Sequence, residues 1–309
     1  MQILNAEQTA RALPYDRLVP AIARAAQQLA DGGIKAPERM VVGMDGGGVL
    51  LCMPAIAADV SVTKLITVHG DNARHALPAI QGEVIVFDTA TGRRLALLDG
   101  PTVTARRTAA VTLHGISLLA PARPASALLL GTGAQAAAHA DALASFFGIK
   151  QFRIASRDPG HAAAFCARLS ASLPQASVEA IAMEAVAEAS QDVDLVIALT
   201  TATTPVVPEM LPARTMPIGV GAFKPEMAEL PAQLLHARAV VVDHLAGAKH
   251  EAGDLLRAQL DWARVSDLAS AARQDRSQCA AAPVLKTVGH AAWDLAAAQV
   301  AIGKDSLGA

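Results

Sequence analysis

The segment Ala127-Leu128-Leu129-Leu130-Gly131-Thr132-Gly133-Ala134-Gln135-Ala136 constrains the fold of this chain more than any other. It reads as an apolar strand, a G-x-G-x-x-A turn and the start of an alanine-rich helix. Glycine at 131 permits a tight turn, glycine at 133 lets a pyrophosphate approach the backbone, and a small residue at 136 lets helix and strand pack closely. The helix N-terminus adds N–H groups and positive dipole for phosphates. An ordinary strand-to-helix turn is the alternative, and the surrounding rhythm weighs against it. Segments 127–130, 134–147, 151–155, 161–169, 182–189, 195–199, 217–220 and 239–242 alternate strand with helix, which predicts a parallel sheet flanked by helices.

The first 120 residues follow another pattern. Leu18, Ile22, Ala25 and Leu29 share one helical face and Gly32-Gly33 then supplies a stop, so an amphipathic helix is predicted. Short β-like runs at 40–44, 49–53, 62–69, 84–88 and 95–98 are punctuated by Asp45-Gly46-Gly47-Gly48 and Thr91-Gly92 turns, which predicts a largely antiparallel sheet. A helix follows over 102–119, and Pro121 and Pro124 mark the expected domain boundary. A strand at 284–286 and an apolar helix at 291–300 close the chain, the helix placed to cross back onto the first domain.

Composition narrows the partners. At 309 residues two domains are expected. Hydrophobic residues make up 52% and charged residues 17%, which predicts extensive burial within the fold or between subunits. A net charge of −2 and nine aromatic residues offer little to a phosphate backbone or to stacked bases, so no nucleic-acid partner is expected. Cys52, Cys166 and Cys279 lie far apart in no paired spacing, which points to neither a disulfide framework nor a metal site and fits a reducing cytoplasm. No basic start precedes an apolar run, and no stretch approaches ~20 uninterrupted apolar residues, so neither export nor a membrane span is expected.

The strand at 151–155 ends in Ser156-Arg157-Asp158, where a side chain meets an adenosine ribose. Arg157 can pair with a 2′-phosphate, favouring NADPH. Asp158 can instead accept from a 2′-hydroxyl, favouring NADH, or simply cap the helix that Pro159 begins. NADPH is the preferred reading, with NADH as the alternative.

Thr104-Ala105-Arg106-Arg107-Thr108-Ala109-Ala110, preceded by Thr91-Gly92 and Leu97-Leu98-Asp99-Gly100, resembles the ornithine cyclodeaminase/mu-crystallin family. The resemblance continues through Arg39, Met53-Pro54, Thr63-Lys64, Val68-His69, Asn72, the Gly131 turn, Glu251-Ala252-Gly253-Asp254-Leu255 and Lys286-Thr287-Val288-Gly289. It implies an α/β fold with a Rossmann-type NAD(P)-binding domain over 121–287, beside an α+β catalytic and dimerisation domain made from both chain ends, 1–120 and 288–309. It further implies an α-amino or α-imino acid substrate gripped by Arg39, Lys64 and Arg107. Substrate contacts at His69, Phe223 and Val288 are also implied, with cofactor contacts at Gly131, Gly133, Ala134, Gln135, Ser156, Arg157, Thr200, Val220 and Thr287. The chemistry agrees, since a buried carboxylate needs compensating cations, best a bidentate guanidinium. Each residue also has a plain structural reading: Arg39 and Arg107 as surface cations, Lys64 as an outward strand residue, His69 as a strand-end hydrogen-bonding residue, the threonines as loop caps.

One departure bears on the reaction. Where ornithine cyclodeaminases carry a proton-handling aspartate after the glycines, this chain reads Gly219-Val220-Gly221-Ala222-Phe223. A phenyl ring moves no proton, so loss of ammonia should be disabled while reduction of a ready-made cyclic imine asks for less. Phe223 is expected either to wall the pocket or to fill core space. Gly221-Ala222-Phe223, Met227-Ala228-Glu229-Leu230 and the segment 291–298 are similar to the ketimine reductase side of the family. The expected activity is NAD(P)H-dependent reduction of Δ1-pyrroline-2-carboxylate or Δ1-piperideine-2-carboxylate by a homodimer. The alternatives are an ornithine cyclodeaminase that recruits Glu226, an alanine-dehydrogenase-like enzyme, or a non-catalytic small-ligand-binding protein.

Overall fold

A computed structural model describes residues 1–274 and 280–305, so Cys279 lies outside the described residues. The chain forms two compact units, Met1–Ala110 with His290–Ala309, and Val111–Gly289.

In the first unit, strands β1 (Gln2–Leu4), β2 (Met40–Gly43), β3 (Val49–Ile56), β4 (Val60–Val68), β5 (Ile80–Asp88) and β6 (Arg94–Asp99) form one sheet in the order β1-β6-β5-β4-β3-β2. All pairings are antiparallel except β1 with β6. Alternation along β4 decides which residues face inward: Val60, Val62, Lys64 and Ile66 are buried, whereas Leu65 is 42% exposed. Helices α1 (Ala6–Ala12) and α2 (Tyr15–Ala30) precede β2, and α3 (Gly100–Leu119) follows β6. The amphipathic face expected on α2 buries Leu18, Val19, Ile22, Ala25 and Ala26. Each buried Leu or Ile there contributes roughly 1.5–3 kcal/mol.

The C-terminal helix Ala291–Ala301 packs against α2, β3 and β4 of this unit. Every residue from Ala291 to Ala298 is buried, as an alanine-rich helix apolar on nearly all sides requires. Asp294 is its sole charged residue and is 0% exposed.

The second unit holds an eight-stranded sheet, every pairing parallel. Its strands are β7 (Ser126–Leu130), β8 (Gln151–Ala155), β9 (Ser177–Ile181), β10 (Leu195–Ala198), β11 (Met216–Gly219), β12 (Val240–Val242), β13 (Val265–Asp267) and β14 (Val284–Lys286). Their order is β13-β12-β14-β11-β10-β7-β8-β9. β7, β10, β11, β12 and β14 are buried along their whole length, as strands of a sheet covered on both faces are. Helices α4 (Ala134–Phe147) and α5 (Pro159–Ser172) follow β7 and β8. Strand order reverses between β7 and β10, the switch point where ligands enter open α/β sheets.

Two expectations need adjustment. The helix expected at 182–189 is a 3-10 turn, Met183–Ala185, followed by one α-turn, Val186–Ala189. The expected boundary fell after α3, whereas the compact units part within it, between Ala110 and Val111. Cys52 and Cys166 are unbridged thiols. Among the described residues, no helix is long and apolar enough to cross a membrane.

Candidate active site

In the first unit two cations share one buried carboxylate. Lys64 stands on the inner face of β4, 1% exposed, rather than pointing outward. Its Nζ lies 3.0 Å from Asp294 Oδ1 as a hydrogen bond and 2.8 Å from Oδ2 as an ion-pair contact. Arg107, on α3 and 7% exposed, donates from Nε to the same Oδ1 at 3.2 Å. Its chain neighbour Arg106 turns elsewhere, donating to Leu13 O at 2.8 Å and stacking 4.1 Å over the Tyr15 ring. The helical register thus divides the pair into one structural arginine and one aimed at Asp294. Arg39 is half-buried.

Burial lowers the Lys64 pKa to about 8. Asp294 opposes the fall, while the Arg107 and Arg39 charges add to it. The structure therefore brings Lys64 and Arg107 onto one shared anion, Asp294, with the Arg39 charge close enough to act on Lys64. Sequence reasoning passed over Asp294. Its signal was present, because a lone acid in a helix this apolar needs a buried partner.

His69 is half-buried at the end of β4, its ring over Gly48, where an added Cβ would come within 2.3 Å. Its backbone N–H donates to Ala79 O.

In the second unit Gly131 adopts φ +119°, and a Cβ there would stand 2.7 Å from Leu199 O, so the turn requires glycine. Gly133 caps α4 with no side chain, and no atom lies within 4 Å of where its Cβ would be. That open helix start, with Ala136 fully buried beneath it, fits a dinucleotide pyrophosphate. His139 anchors the helix behind it. Its Nδ1 lies 2.8 Å from Gln135 O and its Nε2 2.9 Å from Thr112 Oγ1. Burial lowers its pKa to about 4, so the ring is neutral, with Nδ1–H donating and Nε2 accepting.

Beyond β8, Ser156 is half-buried and Arg157 exposed. Asp158 caps α5, accepting from Gly160 N at 2.7 Å and His161 N at 3.3 Å. Thr200, after β10, donates from both N and Oγ1 to Glu229. Val220 and Thr287 are buried, with N–H groups donating to Ala198 O and Gly219 O respectively. Asp243 accepts from Val288 N at 2.9 Å and Gly289 N at 2.8 Å, fixing the segment that carries Thr287 and Val288. Phe223 is 37% exposed and fills no core space. Asp243, Glu229 and the buried pair Asp254–Lys286 also escaped sequence reasoning. Glu229, Asp254 and Lys286 stand within the family-like motifs of the sequence but carry no role there. Among the described residues no cluster of three or more His, Cys, Asp or Glu is placed to hold a metal.

Fold and site together define an α/β protein with a Rossmann-type unit and a second unit carrying a buried cation cluster. The chain belongs to the ornithine cyclodeaminase/mu-crystallin family, whose profile matches residues 1–305. It is 44% identical over 308 residues to the Δ1-pyrroline-2-carboxylate reductase 2 of Burkholderia ambifaria, covering 99% of this chain and 96% of that one. The Δ1-pyrroline-2-carboxylate/Δ1-piperideine-2-carboxylate reductase of Azospirillum brasilense is 43% identical with the same coverage. Thermococcus litoralis Δ1-pyrroline-2-carboxylate reductase, solved with NADH and L-proline, shares the fold at a TM-score of 0.89 and 24% identity, covering 98% of this chain and 97% of that one.

Proposed function

We propose that this chain is an NAD(P)H-dependent ketimine reductase that converts Δ1-pyrroline-2-carboxylate, Δ1-piperideine-2-carboxylate or both to L-proline or L-pipecolate. The observation that carries the reading is the pairing in the first unit: two buried cations, Lys64 and Arg107, share the one buried carboxylate of Asp294. An anionic substrate supplies what that cluster lacks. The relatives named as reductases of these imines, at 42–44% identity, support the same substrate class.

Arg39 and Arg107 hold the substrate carboxylate and thereby orient the ring. Lys64, with a pKa near 8, donates a proton to the ring nitrogen at neutral pH. Asp294 keeps Lys64 charged and aimed. The G-x-G-x-x-A turn and the start of α4 take the cofactor's pyrophosphate, and a bound dihydronicotinamide supplies hydride to C2. The products are then a C2–H and an N–H bond in place of C=N. Phe223, Val288 and His69 are assigned to the substrate side, with the half-exposed Phe223 ring excluding water. Neither nearby acid replaces the absent aspartate. Glu226 is exposed, and the nearby buried acid Glu229 is committed to loop donors. This favours imine reduction over cyclodeamination.

NADPH is the proposed cofactor, with NADH accepted less well. Asp158 is occupied as a helix cap, which leaves Ser156 and Arg157 to meet the ribose and its 2′-phosphate. A homodimer is the proposed assembly, held through the outer face of the first sheet. There Ile3, Met40, Ile56 and Leu65 are 42–65% exposed. A cytoplasmic location fits a reaction that consumes a reduced nicotinamide.

The test is NADPH and NADH oxidation, followed at the nicotinamide absorbance, with each cyclic imine. L-ornithine with NAD and pyruvate with ammonia serve as competitors. Fast oxidation with the imines alone is expected; turnover of ornithine, or of pyruvate with ammonia, in their place would overturn the assignment.

A further inference from the structure

Glu229 has no part in the chemistry above, yet it is buried and held by both loops beside the cofactor turn. It is 0% exposed and accepts four hydrogen bonds. Oε1 takes Thr200 N at 2.6 Å and Thr200 Oγ1 at 2.9 Å; Oε2 takes Gly221 N at 2.7 Å and Ala222 N at 3.0 Å. One oxygen thus serves the loop after β10 and the other the loop after β11. These loops meet at contact distance, since a Cβ on Gly221 would stand 1.9 Å from Thr200 O. The first also abuts the phosphate turn, through Leu199 O beneath Gly131. Both follow the C-terminal ends of neighbouring parallel strands beside the switch point.

Glu229 is itself fixed from behind. Asp254 Oδ1 accepts from the N–H of Glu229 and, at 2.8 Å, from that of Leu230, while Oδ2 lies 3.0 Å from Lys286 Nζ. Burial pushes the Glu229 pKa upward and the Asp254 charge adds to the push, opposed by the Lys286 charge and the Thr200 donors. All four of its hydrogen-bond partners are donors, which the acceptor-only carboxylate satisfies.

We propose that Glu229 is a positioning residue for the nicotinamide half of the cofactor: it ties the two loops together and fixes their backbone, while the adenosine half is held at Arg157 and at the Gly131 turn, whose own anchor is the Gly131 N–H donating to Ala155 O of β8 at 2.8 Å. This rests on the reading of the chain as an NAD(P)H-dependent reductase. Glu229→Gln turns an NH2 group onto backbone N–H donors and so releases one loop.

Calorimetric titration compares NADPH with 2′-phospho-ADP-ribose, which lacks the nicotinamide. The variant should bind NADPH about tenfold more weakly, the loss of roughly one charge-assisted hydrogen bond, and bind the fragment within about twofold of the parent. Equal weakening of both ligands, or of neither, would overturn the proposal. Should Glu229→Gln fail to fold, Glu229→Asp, one methylene too short to serve both loops, gives the same ratio to read. Failure of the underlying reading is distinguishable, because the parent chain would then bind neither ligand.

Discussion

Both units bury a cluster of charged side chains, and the two clusters are balanced in opposite ways. In the Rossmann unit Lys286 faces Asp254, whose other oxygen accepts two backbone N–H groups, and Glu229 is satisfied by four donors. That network closes on the protein itself. In the first unit Lys64 and Arg107 share the single carboxylate of Asp294. On the proposed reading, a substrate anion completes that cluster. Buried charge that the backbone satisfies builds a scaffold, whereas buried charge left in excess is held ready for a ligand.

Substitution tests the contrast most strongly at Lys64. Lys64→Met removes one cation from the overcharged cluster and leaves Asp294 paired with Arg107. Steady-state kinetics should show kcat/KM for the imine falling by roughly 10²–10⁴, the usual worth of a general acid, with the denaturation midpoint unchanged or raised. A large loss of stability would place this cluster with the scaffold instead. Lys286→Met reverses the pattern. It strands Asp254 behind Glu229 and should cost about 3–5 kcal/mol in chemical denaturation, the cost of breaking a buried pair.

Two smaller effects sharpen the picture. Arg157→Ala should weaken NADPH about tenfold or more relative to NADH, as expected for a lost phosphate fork, and comparing the two KM values checks it. The pH profile of kcat/KM comes last. Lys64 must be protonated to donate, and its pKa is lowered to about 8, so the rate should be level below pH 8 and fall about tenfold per unit above it. A profile still level at pH 10 would remove Lys64 as the acid.

The Rossmann half was legible because its signals are local. The glycine turn, the apolar runs of β7, β8 and β10 and the capped start of α5 each declare themselves within a few residues. β9 and β13 were missed because exposed or three-residue strands carry too little periodicity, and their place comes from the neighbouring strand. The candidate site was half legible. Arg39, Lys64 and Arg107 came from resemblance, and α/β periodicity alone left Lys64 facing either way. Asp294 is 230 residues from Lys64 in sequence and Glu229 is 29 from Thr200. Such pairings are set by tertiary packing, which no local pattern encodes.

The central claim is that the excess of positive charge around Asp294 exists to bind a substrate carboxylate. NADPH oxidation with Δ1-pyrroline-2-carboxylate, set beside the same ring lacking its carboxylate, 1-pyrroline, tests it most directly. The account predicts rapid turnover of the carboxylate and none of the bare imine above background; comparable kcat/KM for the two would contradict it.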